Sequence, residues 1–129
     1  MTARDAARQY AAGRVALGAG LLLAPGLVGR PWLGAAAGEP AGRVALRALG
    51  VRDLIIGAIA VHTVDHPEVA PRWQRACAVA DGVDLAATLA ARPGLPPVGS
   101  ALVAAMAAAG TAAGLLLAEA LRGGGGSAA

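Results

Sequence analysis

The chain has no lysine, no phenylalanine, one cysteine and one tyrosine, and only 15% of its 129 residues are charged. A single cysteine, Cys77, excludes an intrachain disulfide and a thiolate metal cage. With lysine absent, all 11 basic residues are arginine. That bias points to GC-rich codon usage more than to chemistry, because both residue types serve as surface cations. The net charge of +3 would suit an anionic partner only if the arginines were clustered. They are dispersed, and several fall inside apolar segments, which excludes nucleic acid as the expected partner. No nucleophile stands beside a base, no glycine-rich loop is built for phosphate, and no strand pattern or internal repeat occurs. The sequence therefore reads as that of a non-enzymatic protein with no cofactor.

What the chain does have is hydrophobicity. At 57% hydrophobic residues and a mean hydropathy of +0.59, it exceeds an ordinary soluble domain. Its length allows one domain at most. Residues 1–14 are polar and basic, whereas Val15 to Gly29 carries no formal charge and is broken by Pro25. With Tyr10 to Val15 added, this first helix approaches the roughly 20 residues that cross a bilayer. A secretory signal peptide is the rival reading, since Ala35-Ala36-Ala37 offers a small-residue cleavage site. Arg14 within the run and Pro31-Trp32-Leu33 before the site rank it second. Pro25 to Pro40 reads as a surface loop, with Trp32 at the membrane interface.

A second helix runs from Ala41 to Val64 and ends at Asp65-His66-Pro67-Glu68, where proline disfavours helix in the residue before it. Pro71-Arg72-Trp73 opens the third helix, which reaches Ala91 before Arg92-Pro93-Gly94. Pro93 to Ala118 has no charge at all. The expected architecture is all-α: an antiparallel bundle of four transmembrane helices at about 4–24, 41–64, 72–91 and 97–120. They form one domain over 1–122, with a flexible glycine-rich tail at 123–129.

Energetics test the membrane reading. A central Arg or Asp costs roughly 2.5–3.5 kcal/mol on the insertion scale, and each Leu, Ile or Val returns about 0.3–0.6. The second helix, with Arg47, Arg52 and Asp53, and the third, with Asp81 and Asp84, are marginal unless their opposite charges meet. A soluble alanine-rich bundle is the alternative. The charge-free last segment, without a polar face, argues against it. Counting arginines near the helix ends places both termini in the cytoplasm: Arg4, Arg8, Arg72, Arg75 and Arg122 face Arg30, Arg43 and Arg92. The expected location is the cell membrane, multi-pass, with the lipid bilayer as partner and another membrane protein or a second copy as further possibilities.

The polar residues are patterned. Gln74, Cys77, Asp81, Asp84, Thr88 and Arg92 are 3, 4, 3, 4 and 4 residues apart, one stripe along one helix face that must turn inward in lipid. Tyr10, Arg14 and Gly18 share a face of the first helix, and Gly50, Asp53 and Gly57 a face of the second. Antiparallel threading brings Arg52–Asp53 level with Asp81–Asp84. Three cations (Arg14, Arg47, Arg52) then balance three anions (Asp53, Asp81, Asp84), with Arg47 snorkelling toward the nearer interface or joining at the edge. The candidate proton- or ligand-binding residues are Arg14, Arg52, Asp53, Asp81 and Asp84. His62 and His66, four apart with Asp65 and Glu68 nearby, could form a surface metal site. Pro67 unwinds the helix there, so they are read as solvated interfacial histidines and no metal is expected. Gly50, Gly57, Gly110 and Gly114 are expected to pack helices closely, and Cys77 to be a small buried hydrophobe.

At Gly50-Val51-Arg52-Asp53-Leu54-Ile55-Ile56-Gly57 the chain resembles small bacterial four-helix membrane proteins of unknown function. Gly13-Arg14 and Leu23-Ala24-Pro25 upstream, and Ala80-Asp81-Gly82-Val83-Asp84-Leu85 downstream, extend the likeness over residues 10–118. Those proteins carry G-x-R-D-x-x-x-G in the second helix and an aspartate in the third. The resemblance implies an integral membrane protein with Arg52, Asp53 and Asp81 as matched positions, and implies no activity. Two functions stand open. One is a structural or accessory membrane subunit locked by a buried Arg/Asp cluster. The other is a small proton-coupled transport or lipid- and anion-binding protein using Asp81, Asp84 and the arginines. A water-accessible cavity reaching Asp81 or Asp84 would separate them.

Overall fold

The computed structural model describes residues 1–124, in which six α-helices and two 3-10 turns follow one another without a strand. Helix α1 (Ala3–Leu23) starts at Thr2, whose hydroxyl accepts from the Asp5 amide at 3.1 Å while Asp5 Oδ2 accepts from the Thr2 amide at 3.0 Å. This reciprocal cap satisfies two amides that the first turn leaves unpaired. A proline then stands in the first turn of every later helix: α2 (Pro25–Val28), α3 (Arg30–Leu33), α4 (Pro40–Thr63), α5 (Ala70–Ala91) and α6 (Pro97–Gly123). Proline costs nothing there, because the N–H it lacks has no helical partner.

The four long helices lie within a few residues of their expected bounds. The stretch from Pro25 to Pro40 does not. Instead of a loop it folds into α2, α3 and a 3-10 turn at Gly34–Gly38. Short turns satisfy its backbone locally, and Gly34, at φ 63°, reverses the chain where a side chain would be strained. Helix α6 continues through Gly123, past the expected bound at 120, and the remainder of the expected tail at 125–129 lies outside the described residues.

Helix α1 packs antiparallel on α4, and α5 on α6, while the two pairs touch each other more sparsely. Glycine sets both pairings. A Cβ on Gly18 would stand 2.6 Å from the Gly50 carbonyl oxygen, and one on Gly50 would stand 2.7 Å from that of Gly18. Gly57 meets the Ala11 carbonyl in the same way, at 3.0 Å, and Gly114 meets that of Gln74 at 2.9 Å. Gly110 sits directly against the Asp81 side chain. All four glycines expected at helix contacts are therefore at close approaches.

The interior is built of small apolar and polar side chains. Its three apolar clusters are Ala7, Val64, Ala70 and Leu121 at the end holding Thr2; Ala11, Ala60 and Cys77 in the middle; and Leu21, Ala37 and Leu46 at the far end. Arg14, Asp53, Gln74, Thr88 and Ser100 are buried among them. Large apolar side chains lie outside, among them Ile55, Val79, Leu102, Met106 and Leu116. By length and composition α6 is able to cross a membrane, and it is the one helix among the described residues that passes this test. The arginines and aspartates of α1, α4 and α5 keep those helices below that mark.

Candidate functional site

Arg14, Asp53 and Asp81 each sit about halfway along α1, α4 and α5, so the antiparallel arrangement brings them to one level. Arg14 is 7% exposed. Its Nη1 donates to Asp53 Oδ1 at 3.0 Å, and its Nη2 donates to the Cys77 carbonyl at 3.1 Å and to Asp81 Oδ1. Arg52 continues the chain of charges. Its Nη1 and Nη2 grip both oxygens of Asp84, at 2.9 and 2.7 Å. Nε and Nη2 also donate to Asp53 Oδ1, at 3.1 and 2.9 Å. The result is an alternating series Asp81–Arg14–Asp53–Arg52–Asp84 running from α5 through α1 and α4 and back to α5. Charge-assisted and bidentate bonds of this kind are the strong ones.

Tyr10 ties the series to α6. Its hydroxyl lies 2.6 Å from Asp81 Oδ2 and 2.9 Å from the Gly110 carbonyl, and can donate to either. The Arg14 guanidinium carbon lies 5.8 Å from the centre of the Tyr10 ring, within cation–π range. Sequence reading placed Tyr10 on the right face and gave it no role. Its spacing of one turn from Arg14 was the available signal.

All five candidate site residues thus meet in one cluster. Arg47 does not join it. The side chain is exposed, and its Nε donates to the Leu22 carbonyl at 3.2 Å. The expected balance of three cations against three anions therefore fails: two arginines face three aspartates, a formal charge of −1. The stripe on α5 is buried at Gln74, Cys77 and Thr88 and partly buried at Asp81 and Asp84. Arg92 leaves it, because α5 stops at Ala91 and Arg92 opens an exposed 3-10 turn. Three atoms in this interior are sealed from any surface without a partner: Arg14 Nε and both polar atoms of Gln74. His62 and His66 are exposed, the first in the last turn of α4 and the second in the turn beyond it. No grouping of three or more His, Cys, Asp or Glu side chains among the described residues is arranged to hold a metal ion.

A cavity of about 390 Å³ opens beside the cluster. Tyr10, Arg14, Asp53, Asp81 and Asp84 form its polar end. Leu17 and Leu21 of α1, Trp32 of α3, Leu49 of α4, and Val103 and Met106 of α6 contribute to its apolar wall. Leu17, Gly13 and Met106 are exposed, so the mouth lies between α1 and α6. Trp32 is fixed at the other end, where its indole Nε1 donates to Thr88 Oγ1 at 3.1 Å. The volume falls within the range of small-molecule sites, and so does the pattern of an apolar wall with a few convergent polar groups. Sequence reading missed the cavity, because it depends on how α3 folds under the helix ends. Comparison with protein-family models, curated proteins and solved structures finds no match to the chain.

Proposed function

We propose that the chain is an integral membrane protein whose four long helices each span the bilayer, and that it binds a proton or a small amphipathic ligand at Arg14, Arg52, Asp53, Asp81 and Asp84 without catalysing a reaction. The cavity that reaches Asp81 and Asp84 carries this reading. A charge cluster serving only to lock helices needs no space beside it, whereas a binding site does. The bilayer reading is supported by the apolar exterior around a polar interior, since ionised side chains in lipid turn inward and pair. It is also supported by the ends. Arg8 with Asp65, and Arg75 and Arg122 with Glu119, gather at the end that holds Thr2 and Gly123, and the arginine excess there supports a cytoplasmic side. Arg52 and Asp53, the centre of the G-x-R-D-x-x-x-G segment, both lie in the cluster, in keeping with the resemblance to small four-helix membrane proteins.

An anionic head group loses support once Arg47 stands outside, because the remaining cluster is already negative. An accessory subunit bolted by its ion pairs keeps support from one observation: the two helix pairs touch sparsely, and ion pairs of the cluster are among the contacts that join them. Native mass spectrometry from a mild detergent separates these readings. Release of a bound amphiphile together with the protein is expected. A bare chain whose melting does not respond to any added amphiphile would leave the bolt as the function.

A further inference from the structure

Charge and hydrogen-bond inventory at the polar end of the cavity go further, resting on the ligand-binding reading above. Three donors reach Asp53, and all three land on Oδ1. Its Oδ2 receives none of them, although Asp53 is only 3% exposed. Asp53 lines the cavity, and Oδ2 is not one of the atoms sealed from every surface. Asp84, by contrast, uses both oxygens on Arg52, and Asp81 both on Arg14 and Tyr10. One carboxylate oxygen of a cluster whose summed charge is −1 is thus left without a donor, beside a half-open cavity with a mostly apolar wall.

We propose that the cavity takes an apolar molecule carrying one protonated amine, with its ammonium at Asp53 Oδ2 and its hydrocarbon body along Leu17, Leu21, Val103 and Met106. A single cation neutralises the excess. An N–H donor also satisfies the open oxygen, and a charge-assisted bond is stronger than a neutral one. An uncharged molecule leaves the excess charge standing, and an anion doubles it.

The test compares decylamine, decanol and decanoate, alike in chain length, by native mass spectrometry and thermal melting of the full chain in maltoside micelles at neutral pH. Decylamine is expected to bind at least about tenfold more tightly than decanol and to raise the melting temperature, with decanoate inert. Asp53→Asn should abolish the preference for amine over alcohol. Because that variant disturbs two ion pairs, a second one guards the result. Gly13 lines the cavity, and a Cβ placed there meets nothing within 4 Å. Gly13→Leu should therefore fill the cavity, remove binding of both decylamine and decanol, and leave the ligand-free melting temperature undiminished. Equal binding of amine and alcohol, both lost in Gly13→Leu, overturns the cationic ligand while the cavity remains a binding site; a proton then answers the excess charge. Preference for decanoate overturns it as well. Failure of all three probes, with Gly13→Leu indistinguishable from the parent, removes the ligand-binding reading itself.

Discussion

Arg14 is the side chain on which the buried charges converge, since it touches Asp53 on α4 and both Asp81 and a carbonyl on α5. Removing one partner of a buried pair leaves its mate uncompensated, at a cost of about 3–5 kcal/mol. Arg14→Gln should lower stability by that order in a melting experiment in detergent, and a loss below about 1 kcal/mol would mean that water already screens the cluster. Arg52 and Asp84 are less deeply buried, so their cycle is milder. Arg52→Gln and Asp84→Asn should couple by about 1–3 kcal/mol, and strictly additive losses would deny the bidentate contact. Gln74 tests the opposite case. Its sealed and unpartnered amide carries a desolvation penalty of about 1–3 kcal/mol, so Gln74→Met should raise the melting temperature. A drop instead would reveal a polar partner held in the interior. Residue spacing disclosed which charges share a level and a face, because helical period fixes both. It did not disclose that Arg47 reaches back to Leu22. Side-chain reach is set by neighbours that a period does not contain.

Proline and glycine made the long helices legible. Each start after α1 is marked by a proline, and each pairing by a glycine whose missing Cβ lets two backbones meet. Gly18→Val should accordingly cost about 1–3 kcal/mol, as overpacking does, whereas Gly13→Ala at an open position should be neutral or stabilising. Melting curves that rank these two in reverse order would contradict the α1–α4 crossing. Helix α6 was legible in extent and not in orientation. Read by polarity, its charge-free stretch up to Ala118 has no face. The structure gives it one by volume: Ser100, Ala104, Ala107, Gly114 and Ala118 are buried, while Leu102, Met106, Leu115 and Leu116 are exposed. Small residues let helices approach, and large ones then occupy the surface. The segment holding α2 and α3 was the least legible, because helices of one turn are stabilised by what they cap and cover rather than by their own pattern.

At the scale of the whole molecule, an apolar exterior around an ionic centre makes solvent the deciding variable. The protein should stay with membranes through carbonate extraction, and recovery without detergent in the soluble fraction would overturn the membrane reading. On the proposed four spans the chain returns to its starting side, so fusion reporters at both ends should report the same compartment. The alternating series of charges also divides unevenly along the chain. The half that ends at Thr63 contributes Arg14, Arg52 and Asp53, one positive charge in excess; the half that begins at Ala70 contributes Asp81 and Asp84, two negative ones. Each half is therefore an incomplete ion looking for the other, and two copies of the same half repel at their centres. A gene cut in the turn at 64–69 should yield fragments that are degraded when made singly and recover one another when made together. The charges act, in that sense, as a form of kin recognition between two pieces of one chain.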